Sequence, residues 1–221
     1  VYLNEDAEMT CAICGKTERS KTRCTAGHYV CDDCHTQGID AIFGVCLASR
    51  SKNPIEILNG LMALPFSHMH GPEHHTMVGA ALLTAYRNAG GEIDLEKALI
   101  EMRNRGKSVP GGACGFWGAC GAGISSGIFI SIATGSTPLA EAPFGLSNKM
   151  TARSLNAIGT VGGPRCCKRN SFTAVIVFSA SSPFLIIASA TCVTAWLLVI
   201  SFCSSSSDIS SSCSRSSSSK R

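Results

Sequence analysis

Cys11-x2-Cys14 and Cys31-x2-Cys34 are two knuckles sixteen residues apart. At that spacing a chain folds back and offers four thiolates to one tetrahedral ion. Gly15 follows the first knuckle and Asp32-Asp33 fills the second, so each has turn-forming residues. Zinc is the expected ion, because Zn–thiolate bonding supplies the folding energy that so short and polar a segment lacks. The competing explanation is redox-active or merely buried thiols. Cys24 and His28 lie between the knuckles and are further candidate ligands.

A second concentration of chemistry follows. His68, His70, His74 and His75 fall within eight residues, with Glu73 among them. Imidazole and carboxylate at this density suit a metal site or an acid–base cluster, and His70, Glu73 and His74 are the candidate catalytic residues. A carboxylate in the first turn of a helix also favours the helix dipole, which is the plainer role for Glu73. Cys114 and Cys120 bracket a Gly/aromatic turn, and Cys166-Cys167 follow Gly163-Pro164-Arg165. Two adjacent cysteines do not easily chelate one zinc, but they can reach different irons of a cluster. Arg165, Lys168 and Arg169 flank them and would lower thiol pKa or hold an anionic group. The expected cofactor-binding set is Cys114, Cys120, Cys166, Cys167 and Arg165, converging with His70 and His74 on one site. The alternative is four buried, unliganded cysteines.

These residues need elements to position them. Asn53-Pro54 opens a helix, with Asn as cap, Pro in the first turn and Ile55, Leu58 and Met62 as apolar stripe, ending at Pro65. A second helix is expected from about Pro72 to Asn88. A third is started by Asp94 and stopped by Gly106, burying Leu95, Ala98, Leu99 and Met102. From Phe116 to Thr134 a helix would carry a small-residue stripe of Cys120, Gly123, Gly127, Ser131 and Thr134. Trp117, Ile124, Ile128 and Ile132 form a bulky stripe beside it. So many glycines suggest that a backbone or a cofactor approaches closely. Thr151 is expected to cap a last helix through Ile158.

The fold class that follows is mainly α: a compact helical core, a small N-terminal zinc-ribbon-like module and a low-complexity C-terminal tail. The boundaries are 1–48 for the metal module, 53–171 for the helical core and 172–221 for the tail. The tail is different material. No charge occurs between Arg169 and Asp208, and 13 of the 19 residues from Ser201 to Ser219 are serine, a composition that cannot build a core. It is expected to lie outside the fold, for example as the product of a shifted reading frame. Phe184–Cys203 is long enough to cross a bilayer, but Ser and Thr dilute it and Pro183 interrupts its approach. A membrane is therefore not an expected partner.

Composition narrows the classes further. A net charge of +4, from 19 basic and 15 acidic residues without a long single-sign run, leaves no electrostatic footprint for nucleic acid. The 13 cysteines lie largely in C-x-x-C or C-C pairs, which favours metal over a secreted disulfide framework and makes the cytoplasm the expected compartment. The chain begins at Val1 without an apolar leader, so its natural start is expected to be missing.

Several resemblances attach to these motifs. C-x2-C-x9-C-x3-H-x2-C-x2-C resembles the first six ligands of a RING finger, but the final C-x2-C is lacking and only Cys46 follows. Cys31-Asp-Asp-Cys34-His35 satisfies the attachment motif of c-type haem, which the partner knuckle at Cys11 and Cys14 argues against. H-x-H-x-x-E-H comes near the metallo-β-lactamase pattern, with an extra residue and no downstream histidines. HGPEHH, CGFWGACG and GGPRCCKR, in this order behind a Cys-rich start, resemble an uncharacterised prokaryotic family of unknown function over about residues 5–172, with a departure after Phe172. The same segments loosely resemble iron–sulfur L-serine dehydratases and cysteine desulfidases. That similarity implies a [4Fe–4S] cluster on Cys114 or Cys120 with Cys166 and Cys167, and His70 or His74 as the base acting on a small polar substrate. Two function classes follow: a metal-dependent lyase, and a non-catalytic zinc-bearing adaptor or regulatory module.

Overall fold

In a computed structural model, residues 1–35 and 38–181 are described. The chain opens with an antiparallel hairpin of β1 (Tyr2–Thr10) and β2 (Thr17–Thr22), registered as Met9 opposite Glu18 and Thr10 opposite Thr17. Its strand signal is short: Leu3, Ala7 and Met9 turn inward, with exposed Glu5 and a register shift between Tyr2 and Ala7 interrupting the alternation. Met9, Cys11, Tyr29, Cys31 and Cys34 make a miniature core, covered by Leu3, Ala7 and Val30.

Two short elements, α1 (Asp32–His35) and α2 (Asp40–Ala48), lead into the larger helices. Ile42 and Cys46 of α2 are fully buried, and α2 packs on three of the helices that follow. The helical assembly thus begins at Asp40 rather than after residue 48. In α3 (Pro54–Met62) the Asn53 side chain accepts from the Ile55 N–H at 2.9 Å, as its sequence signature requires. The buried face is Pro54, Ile57, Leu58 and Leu61, set to one side of the expected stripe because α4 and α2 cover that flank.

The centre of the assembly is α4 (His74–Asn88), whose first twelve residues are all buried. Around it stand α5 (Leu95–Lys107), capped by Asp94, and α7 (Gly121–Ala133), which the four-residue α6 (Ala113–Phe116) precedes. Gly106 lies inside α5 and does not stop it. A Cβ there would meet Thr76 Oγ1 at 2.5 Å, so this glycine permits α5 to approach α4. The expected single helix from Phe116 is broken at Gly118, where φ is +66°, and Trp117 is left 70% exposed.

The small stripe of α7 receives α8 (Ala142–Val161). A Cβ on Gly123 would stand 2.7 Å from Leu155, and one on Gly127 would stand 1.9 Å from Thr151 Oγ1. Thr151 sits mid-helix with its hydroxyl on the Ser147 carbonyl, so the helix begins nine residues earlier than the cap signal suggested. Finally α9 (Cys167–Ser181) crosses the boundary expected at residue 172. Ala174, Val175 and Phe178 are buried, and Phe129 meets Phe178 edge to face at 5.1 Å. Residues 172–181 thus belong to the core. The run Phe184–Cys203 and the serine tract lie outside the described residues. Among the described residues no helix is long and apolar enough to cross a membrane.

Candidate functional site

The turn after β1 carries Cys11 and Cys14, and the segment returning from β2 brings Cys31 and Cys34 beside them. The isolated bridge between Cys11 and Tyr29 closes the approach. All four Sγ atoms lie within 4.8 Å of one another, with Cys14 and Cys31 at 3.6 Å. A tetrahedral ion with metal–sulfur bonds of about 2.3 Å has thiolates ~3.8 Å apart. Cys11 accepts backbone N–H groups from Ile13 and Cys31, and the loop amides push its thiol down to about 6. Burial and the adjacent thiols push Cys31 and Cys34 up. Four thiols so crowded can all ionise only around a cation. Cys24 and His28 stand apart from this group, exposed and against each other at 3.4 Å between Sγ and Nδ1.

A cavity of about 230 Å³ opens between the hairpin and the helices. Its lining includes His70, His74, His75, Cys114, Cys120, Cys167 and Arg165. Residues from five separate stretches of sequence therefore converge, including most of those expected to do so. The amino ends of three long helices supply them: His74 and His75 from α4, Cys120 and Gly121 from α7, and Cys167 from α9. Cys114 comes from α6, which Gly112 starts at φ +84°. On the opposite wall the hairpin and second knuckle contribute Glu18, Arg19, Tyr29, Val30 and Asp32.

Of the two adjacent cysteines, only Cys167 lines the cavity. The Cys166 carbonyl accepts the Asn170 N–H at 3.0 Å in the opening turn of α9. Adjacent residues on a helix point about 100° apart, so one cavity takes one of the pair. Burial pushes the Cys167 thiol up, offset in part by the Gly71 N–H and by the charge of Arg165. Asn170 donates to Cys120 Sγ at 3.4 Å. Of the three basic residues here, Arg169 holds the Gly162 and Pro164 carbonyls and Lys168 reaches the Met62 carbonyl. Arg165 alone lines the cavity, its guanidinium 5.5 Å over the Tyr2 ring.

The histidines divide by their hydrogen bonds. His74 approaches the His68 carbonyl with Nε2 at 2.8 Å and Ser171 Oγ with Nδ1 at 3.2 Å. The carbonyl requires the proton on Nε2, and Ser171 then occupies the other lone pair. Burial brings His74 down to about 4, so its 3.7 Å approach to Glu73 is not an ion pair near neutrality. His74 thus ties α4 to α9 and has no lone pair left for a base. Glu73 is fully buried outside the lining, with Oε1 on the His68 N–H and Oε2 without a hydrogen-bond partner among the described residues. Burial pushes it up to about 7. His70 lines the cavity with Nδ1 buried and without a hydrogen-bond partner among the described residues.

His75 was passed over in the sequence in favour of its neighbours. Its Nδ1 bonds the Val109 carbonyl at 3.1 Å, which places the proton there and leaves Nε2 as an acceptor. The ring lies against Gly121, where a Cβ would come 2.3 Å from Nε2. The signal was the His-His pair itself, since adjacent helical positions send their rings to different neighbours.

Fold and site together define a helical protein with a four-thiol cluster able to hold a metal ion and a thiol–imidazole cavity beside it. The chain belongs to the family of unknown function DUF5714, whose family model matches residues 42–191. That match leaves the two knuckles outside and continues past Phe172, so the departure expected there does not occur at that residue. No match was found among curated proteins or solved structures.

Proposed function

We propose that the chain is a metal-supported enzyme of the lyase type, with a structural zinc on Cys11, Cys14, Cys31 and Cys34 and an iron–sulfur cluster in the cavity. The observation that carries this reading is the convergence of Cys114, Cys120 and Cys167 with Arg165 and three histidines on one cavity. Three thiols among helix amino ends also suit the negative charge of such a cluster. The donor set therefore fits, with Cys114, Cys120 and Cys167 as its holders. When bound, a cluster with three protein ligands supplies a Lewis-acidic iron. Arg165 orients an anionic group of a small polar substrate, His70 offers an unpartnered imidazole nitrogen to take or give a proton, and the hairpin wall excludes water.

Anaerobic purification tests the proposal. Brown protein containing iron, sulfide and about one zinc per chain is expected on this ligand count. Cys120→Ala and Cys167→Ala should lose iron and keep zinc, while Cys166→Ala keeps both. Zinc alone in the wild-type chain would overturn the enzyme reading and leave a non-catalytic zinc-bearing adaptor.

A further inference from the structure

Cys24 and His28 belong to neither the four-thiol group nor the cavity lining. The loop after β2 nonetheless folds them onto each other. The Cys24 N–H donates to the His28 carbonyl at 2.8 Å and the Gly27 N–H to the Cys24 carbonyl at 3.0 Å, a closure in which Gly27 takes φ +88°. The His28 N–H donates to Cys24 Sγ at 3.2 Å, and His28 Nδ1 stands 3.4 Å from the same sulfur. Both side chains are exposed.

That separation is the edge of a tetrahedral metal site. A metal–sulfur bond of about 2.3 Å and a metal–nitrogen bond of about 2.05 Å, at the tetrahedral angle, hold the two ligand atoms ~3.6 Å apart. In a linear arrangement the same bonds would hold them ~4.4 Å apart. The backbone N–H on Cys24 Sγ repeats a feature of the four-thiol group, where Cys11 Sγ accepts from Ile13 and Cys31. Such a donor favours the thiolate, the form that binds metal. A thiol–imidazole hydrogen bond would fill the same distance, but exposed to water it contributes little. Among the described residues no third Cys, His, Asp or Glu joins the pair at the spacing of a metal site. An ion held by these two ligands therefore has two tetrahedral positions left for water.

We propose that Cys24 and His28 chelate a second divalent ion of the zinc class, separate from the four-thiol group, in an open and exchangeable surface site. On binding, the Cys24 thiol releases its proton to solvent. The sulfur and His28 Nδ1 then each give an electron pair to the ion, and Nε2 keeps its hydrogen. One thiolate with one imidazole favours zinc or cobalt over magnesium or calcium. A thiolate or imidazole from another molecule can enter an open position before either protein ligand leaves, so the ion is gained and lost by ligand exchange. The proposal is independent of the cluster assigned to the cavity.

Cobalt(II) reads the site, because a thiolate bound to it gives a charge-transfer absorption. The purified, zinc-loaded full chain is kept anaerobic, reduced without added thiol and titrated with Co²⁺. The wild type should take up about one more Co²⁺ per chain than either Cys24→Ser or His28→Ala, with the absorption of a single thiolate. Desalting should remove that ion and leave the zinc. Uptake by the cavity thiols is common to wild type and variants, so the difference between them reports this pair alone. Both residues are exposed, and zinc retained at the wild-type level shows that each variant keeps its four-thiol module; Cys24→Ala and His28→Gln serve if the first pair loses it. Equal uptake by the wild type and both variants, a loss with Cys24→Ser that His28→Ala does not share, or an ion that desalting fails to remove overturns the proposal.

Discussion

Glu73 and His74 are adjacent, buried and oppositely displaced from their ordinary titration ranges, the carboxyl up to about 7 and the imidazole down to about 4. Both are neutral over most of the range between, which is how two ionisable groups share an apolar position without forming a salt bridge. The folded carboxyl holds its proton more tightly than the unfolded one. Its stabilising contribution is therefore complete below about pH 4.5 and is lost as pH rises through about 7. The span corresponds to about 3 kcal/mol. Glu73→Gln should remove that loss, so urea melts at pH 5 and pH 8 should differ by less in the variant than in the wild type. An unchanged difference would show that Glu73 reaches solvent or a counter-charge. The His-x-His-x-x-Glu-His-His run was legible as an acid–base cluster, but the division of labour within it was not. That division is decided by Ser171, Val109 and the His68 carbonyl, which lie 97, 34 and 6 residues from their partners.

Among the elements, those with local signals followed their sequence: Asn53 and Asp94 cap the helices they precede. The glycine stripe announced a close approach without saying by what, because its partner is a helix some twenty residues on. Thr151 looked like a cap and is instead the residue that Gly127 accommodates. Gly127→Ala should destabilise the fold by about 2 kcal/mol, since the added methyl meets Thr151 and the Ser147 carbonyl. Gly159→Ala, where a methyl enters open space on α8, should stabilise it by about 0.5–1 kcal/mol. Chemical denaturation of the two variants checks both signs. α9 was not expected at all, because an uncharged Ser/Thr-containing run gives no amphipathic pattern when a helix is covered on several sides. Phe178→Ala should cost about 3–5 kcal/mol, and ending the chain at Ser171 should abolish cooperative unfolding. A truncated chain that melts like the full one would contradict the placement of α9.

At the scale of the molecule, the four-thiol group and the cavity share a wall. Val30 and Asp32 line the cavity, and the residue between them is Cys31, one of the four clustered thiols. Tyr29, also on the lining, accepts the Ala12 N–H through its carbonyl within the first knuckle. The motif spacing revealed the four thiols, whereas their neighbours' second duty depends on the hairpin forming one wall of the cavity. Cys14→Ser with Cys34→Ser should therefore release the metal and also raise amide hydrogen exchange at residues 111–114 and 165–167, which lie across the cavity. Exchange confined to residues 1–35 would separate the two sites. If they are joined, the coupling has to run both ways, because linkage between two binding events is reciprocal. A molecule seated in the cavity would then slow the loss of metal to a chelator, and a chain stripped of its metal would hold that molecule less tightly. The protein's occupancy by a small molecule would thereby become a reading of how much metal its surroundings supply.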